Sequence, residues 1–211
     1  LQRERPGAFA SVVLERLTGW MVLPVLTLVA LVANPSLLFL GSVSRLALAV
    51  ALGTLVALAV LIGVASSSRL GGSLGRRRKG LGSLAAAVRL GLIRFRHRPG
   101  AAAEVLVVSF AYQLVVVLAA FLVAYSMGLQ VSWTAILAFM PIVAIVQVLP
   151  LTIGGLGLRE GAFVVFLHPL GVSTSQAIAF GLLVYGLNLV VGLLGAPAFA
   201  SLERLPEARA A

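Results

Sequence analysis

The chain's 211 residues are 61% hydrophobic and only 10% charged, with a mean hydropathy of +1.12. Soluble domains carry roughly 25% charged residues and could not hide so much apolar surface at this length, so a soluble globular protein is excluded. Cysteine is absent, which excludes disulfides and thiolate chemistry, and the net charge of +10 rests on basic residues of which all but Lys79 are arginine.

The chain opens on Leu1 rather than Met, without the n-region and cleavage site of a signal peptide, so it reads as a fragment or a trimmed chain. A first apolar run, 8–33, is interrupted early by Glu15 and Arg16 and is long enough to span with some tilt. Trp20 lies about one turn past Arg16, where an interfacial aromatic belongs. After Asn34-Pro35-Ser36 a second span, 37–65, carries Arg45 near its outer end, from which that side chain can snorkel. A polar basic segment, 66–100, follows. Its glycines and the Arg76-Arg77-Arg78-Lys79 run predict a flexible loop, and the apolar arc of Leu81, Leu84, Ala85, Val88, Leu92 and Phe95 predicts a membrane-surface helix. Further spans are predicted at 101–125, with Glu104 and Gln113, and at 133–150, with Pro141 and Gln147. Residues 158–167 make only about half a crossing, and 173–199 form the last span, with Asn188 inside it. The expected fold is all-α, one polytopic membrane helix bundle over 1–211 with a broken or re-entrant helix near 154–157.

Nine of the sixteen cations fall between Arg69 and Arg98. In a membrane protein that clustering marks a cytoplasmic loop in contact with anionic lipid. Arg3 and Arg5 then also face inward, since two spans separate them from the loop. A nucleic-acid surface would need a folded basic face with interleaved aromatics, and only Phe95 lies near, so no nucleic-acid partner is expected. If residues 151–167 cross the bilayer, the C-terminus is cytoplasmic too.

The stretch around which the chain is organised is Pro150-Leu-Thr-Ile-Gly-Gly-Leu-Gly-Leu-Arg-Glu-Gly161. Proline removes a backbone donor, and Gly154, Gly155 and Gly157 carry no side chain to hold a helix. Unwound backbone is tolerated at membrane depth only where protein or a watery cavity covers it. A break that bears ionisable residues is therefore a candidate substrate site near the membrane middle, the alternative being a tight turn outside the bilayer. Gly155, Gly157 and Gly161 resemble a dinucleotide-binding turn, but that motif needs a preceding strand, and the flanks are membrane helices. There is no aspartate for a Ser-His-Asp set, and His97 and His168 have no carboxylate cluster for a metal. Neither an enzyme nor a cofactor is expected.

The intramembrane polar residues remain. Arg159 and Glu160 are adjacent and so point about 100° apart on a helix, which predicts partners elsewhere rather than each other, with Glu15 and Arg16 as candidates. A half-helix starting near Gly157 aims its positive end at the break, and with Arg159 it would suit an anion such as a lipid phosphate. The alternative is a clamp, in which Arg159–Glu15 and Arg16–Glu160 pairs only hold helices together. Gln147 and Asn188 would line the same cavity or simply bond across helices. Gly157-x-x-x-Gly161 and the glycines 181, 186, 192 and 195 fit close helix packing.

Glu15-Arg-Leu-Thr-Gly19 and Leu149-Pro-Leu-Thr-Ile-Gly-Gly-Leu-Gly-Leu-Arg-Glu-Gly161 resemble the lysylphosphatidylglycerol synthase transmembrane region family, a flippase-like domain that also stands alone in many bacteria and archaea. The resemblance covers essentially the whole chain. It implies about eight membrane segments, so the first two or three are expected to be missing here, and the family's early Gly-Gly-Asp-x-x-Arg type motif has no match. It implies translocation of a polar-headed lipid in the cytoplasmic membrane. It gives no expectation of aminoacyltransfer, because only about ten residues follow the last span. Glu15, Arg16, Arg159 and Glu160 stand at its signature positions. Two readings follow: a flippase that takes an anionic or zwitterionic headgroup, or a non-transporting subunit that docks a glycosyltransferase or other lipid-modifying enzyme through the basic loop.

Overall fold

A computed structural model describes residues 5–66, 99–147, 155 and 157–202, and these residues are helical with short turns and no strand. Six α-helices follow in order: α1 Arg5–Ala33, α2 Ser42–Ser66, α3 Pro99–Ser126, α4 Trp133–Gln147, α5 Leu158–Leu167 and α6 Thr174–Leu202. Short 3-10 turns at Pro35–Phe39 and His168–Leu170 join α1 to α2 and α5 to α6. The first of them delays α2 to Ser42 rather than Leu37, since Pro35 sets a turn that Ser44 fastens by donating to the Leu37 carbonyl. The basic segment and its expected surface helix lie outside the described residues, as does Gly154.

Among the described residues, three stretches are long and apolar enough to cross a membrane: Ser42–Val64, Ala103–Ser126 and Thr174–Leu194. Their outward faces carry Val, Leu and Phe, which suits a lipid surround as well as it would disfavour water. This is a multi-pass membrane helix bundle.

The hub is α4. Every residue from 135 to 143 is buried, and α1, α2, α3 and α5 all pack on it. A helix apolar on all sides belongs in such a place. Pro141 takes a donor away from the α4 ladder. Nearby, the hydroxyl of the fully buried Thr27 on α1 donates to the Ala138 carbonyl at 2.9 Å, and Asn34 Nδ2 donates to Thr134 Oγ1 at 2.8 Å. These two bonds fix α1 antiparallel to α4. Phe139 stacks on Phe166 with ring centroids 5.1 Å apart, so α5 runs back along α4. Phe163 meets Phe180 edge-on at 4.9 Å, so α6 turns again and runs parallel to α4.

α5 therefore runs antiparallel to α4, with Gly155 against Gln147 and Phe166 level with Phe139. The pair is an antiparallel hairpin. The free ends of α1, α2, α3 and α6 all gather at the opposite end.

Candidate functional site

The break sits where the hairpin turns. Gly155 is buried with φ +77°, and a Cβ added to it would stand 3.2 Å from both Cβ and the carbonyl oxygen of Gln147. Left-handed backbone and close approach both call for glycine there. Gln147 thus acts as the wall that Gly155 leans on. Gly157, φ +83°, is the residue before the first turn of α5, and its N–H donates to Glu160 Oε2 at 2.7 Å. This return of a glutamate to the start of its own helix satisfies one of the donors a helix end leaves open.

Arg159 and Glu160 are 5% and 8% exposed, which makes them the charged residues buried in the core among the described side chains. The structure corrects the expectation that they avoid each other: the Arg159 guanidinium bonds Glu160 Oε1 directly. The 100° between their Cα–Cβ directions is overcome by length. Glu160 is bent back toward Gly157, and the long arginine chain can follow it. The guanidinium carbon lies 4.4 Å from the centroid of the Tyr185 ring on α6, a cation–π stack. Arg159 Nε is buried with no hydrogen-bond partner among the described residues. Glu160 Cγ would be 3.5 Å, and Phe163 Cδ2 3.0 Å, from a Cβ at Gly181, so Gly181 is what lets α6 close on α5.

Depth follows from helix rise. Tyr185 lies eleven residues from Thr174 and nine from Leu194, about 16 and 14 Å along the apolar stretch of α6. The Arg159–Glu160–Tyr185 group is thus near mid-height of a membrane-length helix. Past that level α6 exposes every residue from 187 to 194, and α3 exposes every residue from 103 to 108. The hairpin fills one half of the bundle's height, and the polar group caps it at the other half.

Not all candidates join this group. Asn188 is exposed one turn further along α6, beyond the start of α5, and donates to the Val184 carbonyl of its own helix at 2.8 Å. Glu15 and Arg16 lie on α1; extending the Thr27–Ala138 register along both helices brings them about a turn past the level of Gln147. Their side chains lie outside the described part. Cβ atoms at Gly157, Gly161, Gly186 and Gly192 would meet nothing within 4 Å, so among the described glycines of these motifs close helix packing belongs to Gly181. The residue that sequence reasoning missed is Tyr185; its one signal was an aromatic one turn after Gly181, in a run otherwise aliphatic.

A match over residues 1–195 is made by the family described as Lysylphosphatidylglycerol synthase TM region. The chain belongs to this family. Membership places the α4–α5 hairpin and its buried ion pair in an integral membrane domain associated with lipid handling. No curated protein and no solved structure matches the chain.

Proposed function

We propose that this membrane domain moves a polar-headed phospho- or glycolipid between the leaflets of a bacterial or archaeal cytoplasmic membrane, without chemistry on the lipid. The observation that carries the reading is the buried Arg159–Glu160 pair against Tyr185, near mid-height of α6 at the start of a ten-residue helix. A buried charge pair stabilises a fold weakly at best, because desolvation costs about as much as pairing returns. Ionisable groups at membrane depth mark substrate paths more often than scaffolding.

In this reading the headgroup phosphate comes opposite Arg159 and the positive end of α5, and Glu160 meets any ammonium the headgroup carries. The acyl chains stay in lipid. An open apolar groove of about 490 Å³ between α1 and α3, with Met21, Val25, Leu106 and Phe110 among its walls, offers them a track. Its Met21 end is level with the ion pair when the α1–α4 register is extended. The open end of the bundle, where α2 ends and α3 begins, faces the cytoplasm in this reading, because the sequence joining the two helices carries the cluster of cations from Arg69 to Arg98.

The test is transfer of a fluorescent phosphatidylglycerol analogue between leaflets of proteoliposomes. The intact protein is expected to accelerate transfer, and Arg159→Gln, eluting as the wild type does, to slow it at least about tenfold, the effect of one charge-assisted hydrogen bond. An intact protein that transfers nothing, and that brings a lipid-modifying enzyme through purification, would replace transport with a docking role.

A further inference from the structure

We infer that Glu160 is an internal occupant of the anion site, a carboxylate that fills the headgroup position until a ligand oxyanion displaces it. The inference rests on the headgroup reading above and assigns that site its regulation. The geometry has three parts. First, Glu160 spends both oxygens on the groups an external anion would seek: Oε2 on the Gly157 N–H and Oε1 on the Arg159 guanidinium. Second, the guanidinium is only partly used. The Nε–H beside the bonded Nη2 completes the edge on which arginine holds a two-oxygen anion side by side, and this Nε is buried with no partner among the described residues. Third, the cation is held in place by a cation–π contact, its guanidinium carbon 4.4 Å from the centroid of the Tyr185 ring.

A buried unpartnered donor on a side chain this deeply enclosed costs stability and calls for a reason. A phosphate diester supplies one. Two of its oxygens satisfy Nε and Nη2 together, where the Glu160 carboxylate, tied to Gly157, reaches Nη2 alone. The incoming anion and Glu160 repel at close range in a low-dielectric site, so Glu160 must leave for the anion to seat. Leaving also frees the Gly157 N–H at the start of α5 for the ligand.

The experiment measures affinity rather than transport. The purified full chain in detergent is titrated with dihexanoyl phosphatidylglycerol and, separately, with inorganic phosphate, and binding is read from the shift in thermal unfolding. Glu160→Gln keeps the bond from the Gly157 N–H but removes the competing charge; it is expected to bind at least about tenfold tighter than wild type, the effect of lifting one like-charge contact. Glu160→Asp draws the carboxylate back by one methylene and should gain less, in the same direction; it decides the matter if the glutamine variant does not fold. Gain with the short-chain lipid alone identifies a lipid headgroup as the ligand, and gain with inorganic phosphate as well identifies the free oxyanion; both support the inference. Equal or weaker binding in a folded Glu160 variant overturns it. If Arg159→Gln abolishes binding while Glu160→Gln brings no gain, the headgroup reading stands and the occupant role falls. If neither probe binds wild type or variants, both fall.

Discussion

At one end of the bundle, Asn34 reaches Thr134, Trp133 meets Phe121 edge-on at 5.4 Å, and two 3-10 turns close the α1–α2 and α5–α6 corners. At the other end α4 and α5 have already turned back, and α3 and α6 run on with apolar residues exposed on every side. The same helices are thus consolidated in one half and splayed in the other, with the ion pair at the boundary. The difference teaches how a membrane protein keeps charges at depth. The closed half, through packing and hydrogen bonds, holds a short helix whose first turn carries the buried pair.

The strongest way to break the contrast is to loosen the closed half where it grips the site. Phe163 is 2% exposed, wedged between Phe180 and Gly181 directly behind Glu160. Phe163→Ala should cost about 3 kcal/mol in unfolding from detergent, the low end for such truncations, because lipid or detergent tails take water's place as the alternative surroundings. Transfer should fall with it, because the wall behind the pair is gone. Next comes Gly155→Ala. A left-handed φ and a Cβ 3.2 Å from Gln147 together should lower stability by about 1–3 kcal/mol in the same melt. A fully stable Gly155→Ala protein would mean that the hairpin turn tolerates other backbone and does not position α5.

Much of this was legible in the sequence, and the reasons differ by element. The half-helix 158–167 could be read because glycine and proline before it and His168-Pro169 after it are strong punctuation, and its length falls short of a crossing. The membrane class followed from composition alone. The Arg159–Glu160 contact could not be read, because adjacent positions on an ideal helix diverge; it exists through the bend of Glu160 back to Gly157, a cap that needs a glycine and a glutamate three apart but leaves the direction of the second oxygen open. Tyr185 was invisible because pairing across α5 and α6 depends on the register of two helices joined through a 3-10 turn. Gly181 stood among several similar glycines, and which of them faces a neighbour is a matter of helix phase that an apolar sequence does not encode: with apolar residues on all sides, α6 carries no polar face to orient it.

A smaller effect belongs to Thr27, which is fully buried and donates to the Ala138 carbonyl three residues before Pro141. Thr27→Val keeps the volume and removes the donor. Interhelical hydrogen bonds in membrane proteins contribute about 0.6 kcal/mol on average, and that is the expected loss of stability, with transfer unchanged. A loss several times larger would show that the α1–α4 contact depends on this one donor.

The smallest effect should come from Asn188, and it tests the boundary itself. Its amide donates to Val184 of its own helix, and the residue is exposed past the start of α5, in the splayed half. Replacing it with leucine removes a local bond from a face already lined by Leu187, Leu189 and Val190, so stability should change by no more than about 0.5 kcal/mol. If the splayed half is passive lipid-facing surface, headgroup transfer should also match wild type. If Asn188→Leu slows transfer while the melt is unchanged, the headgroup path continues along α6 beyond Tyr185. The accessible half would then be a polar track in its own right, with the ion pair as its upper stop.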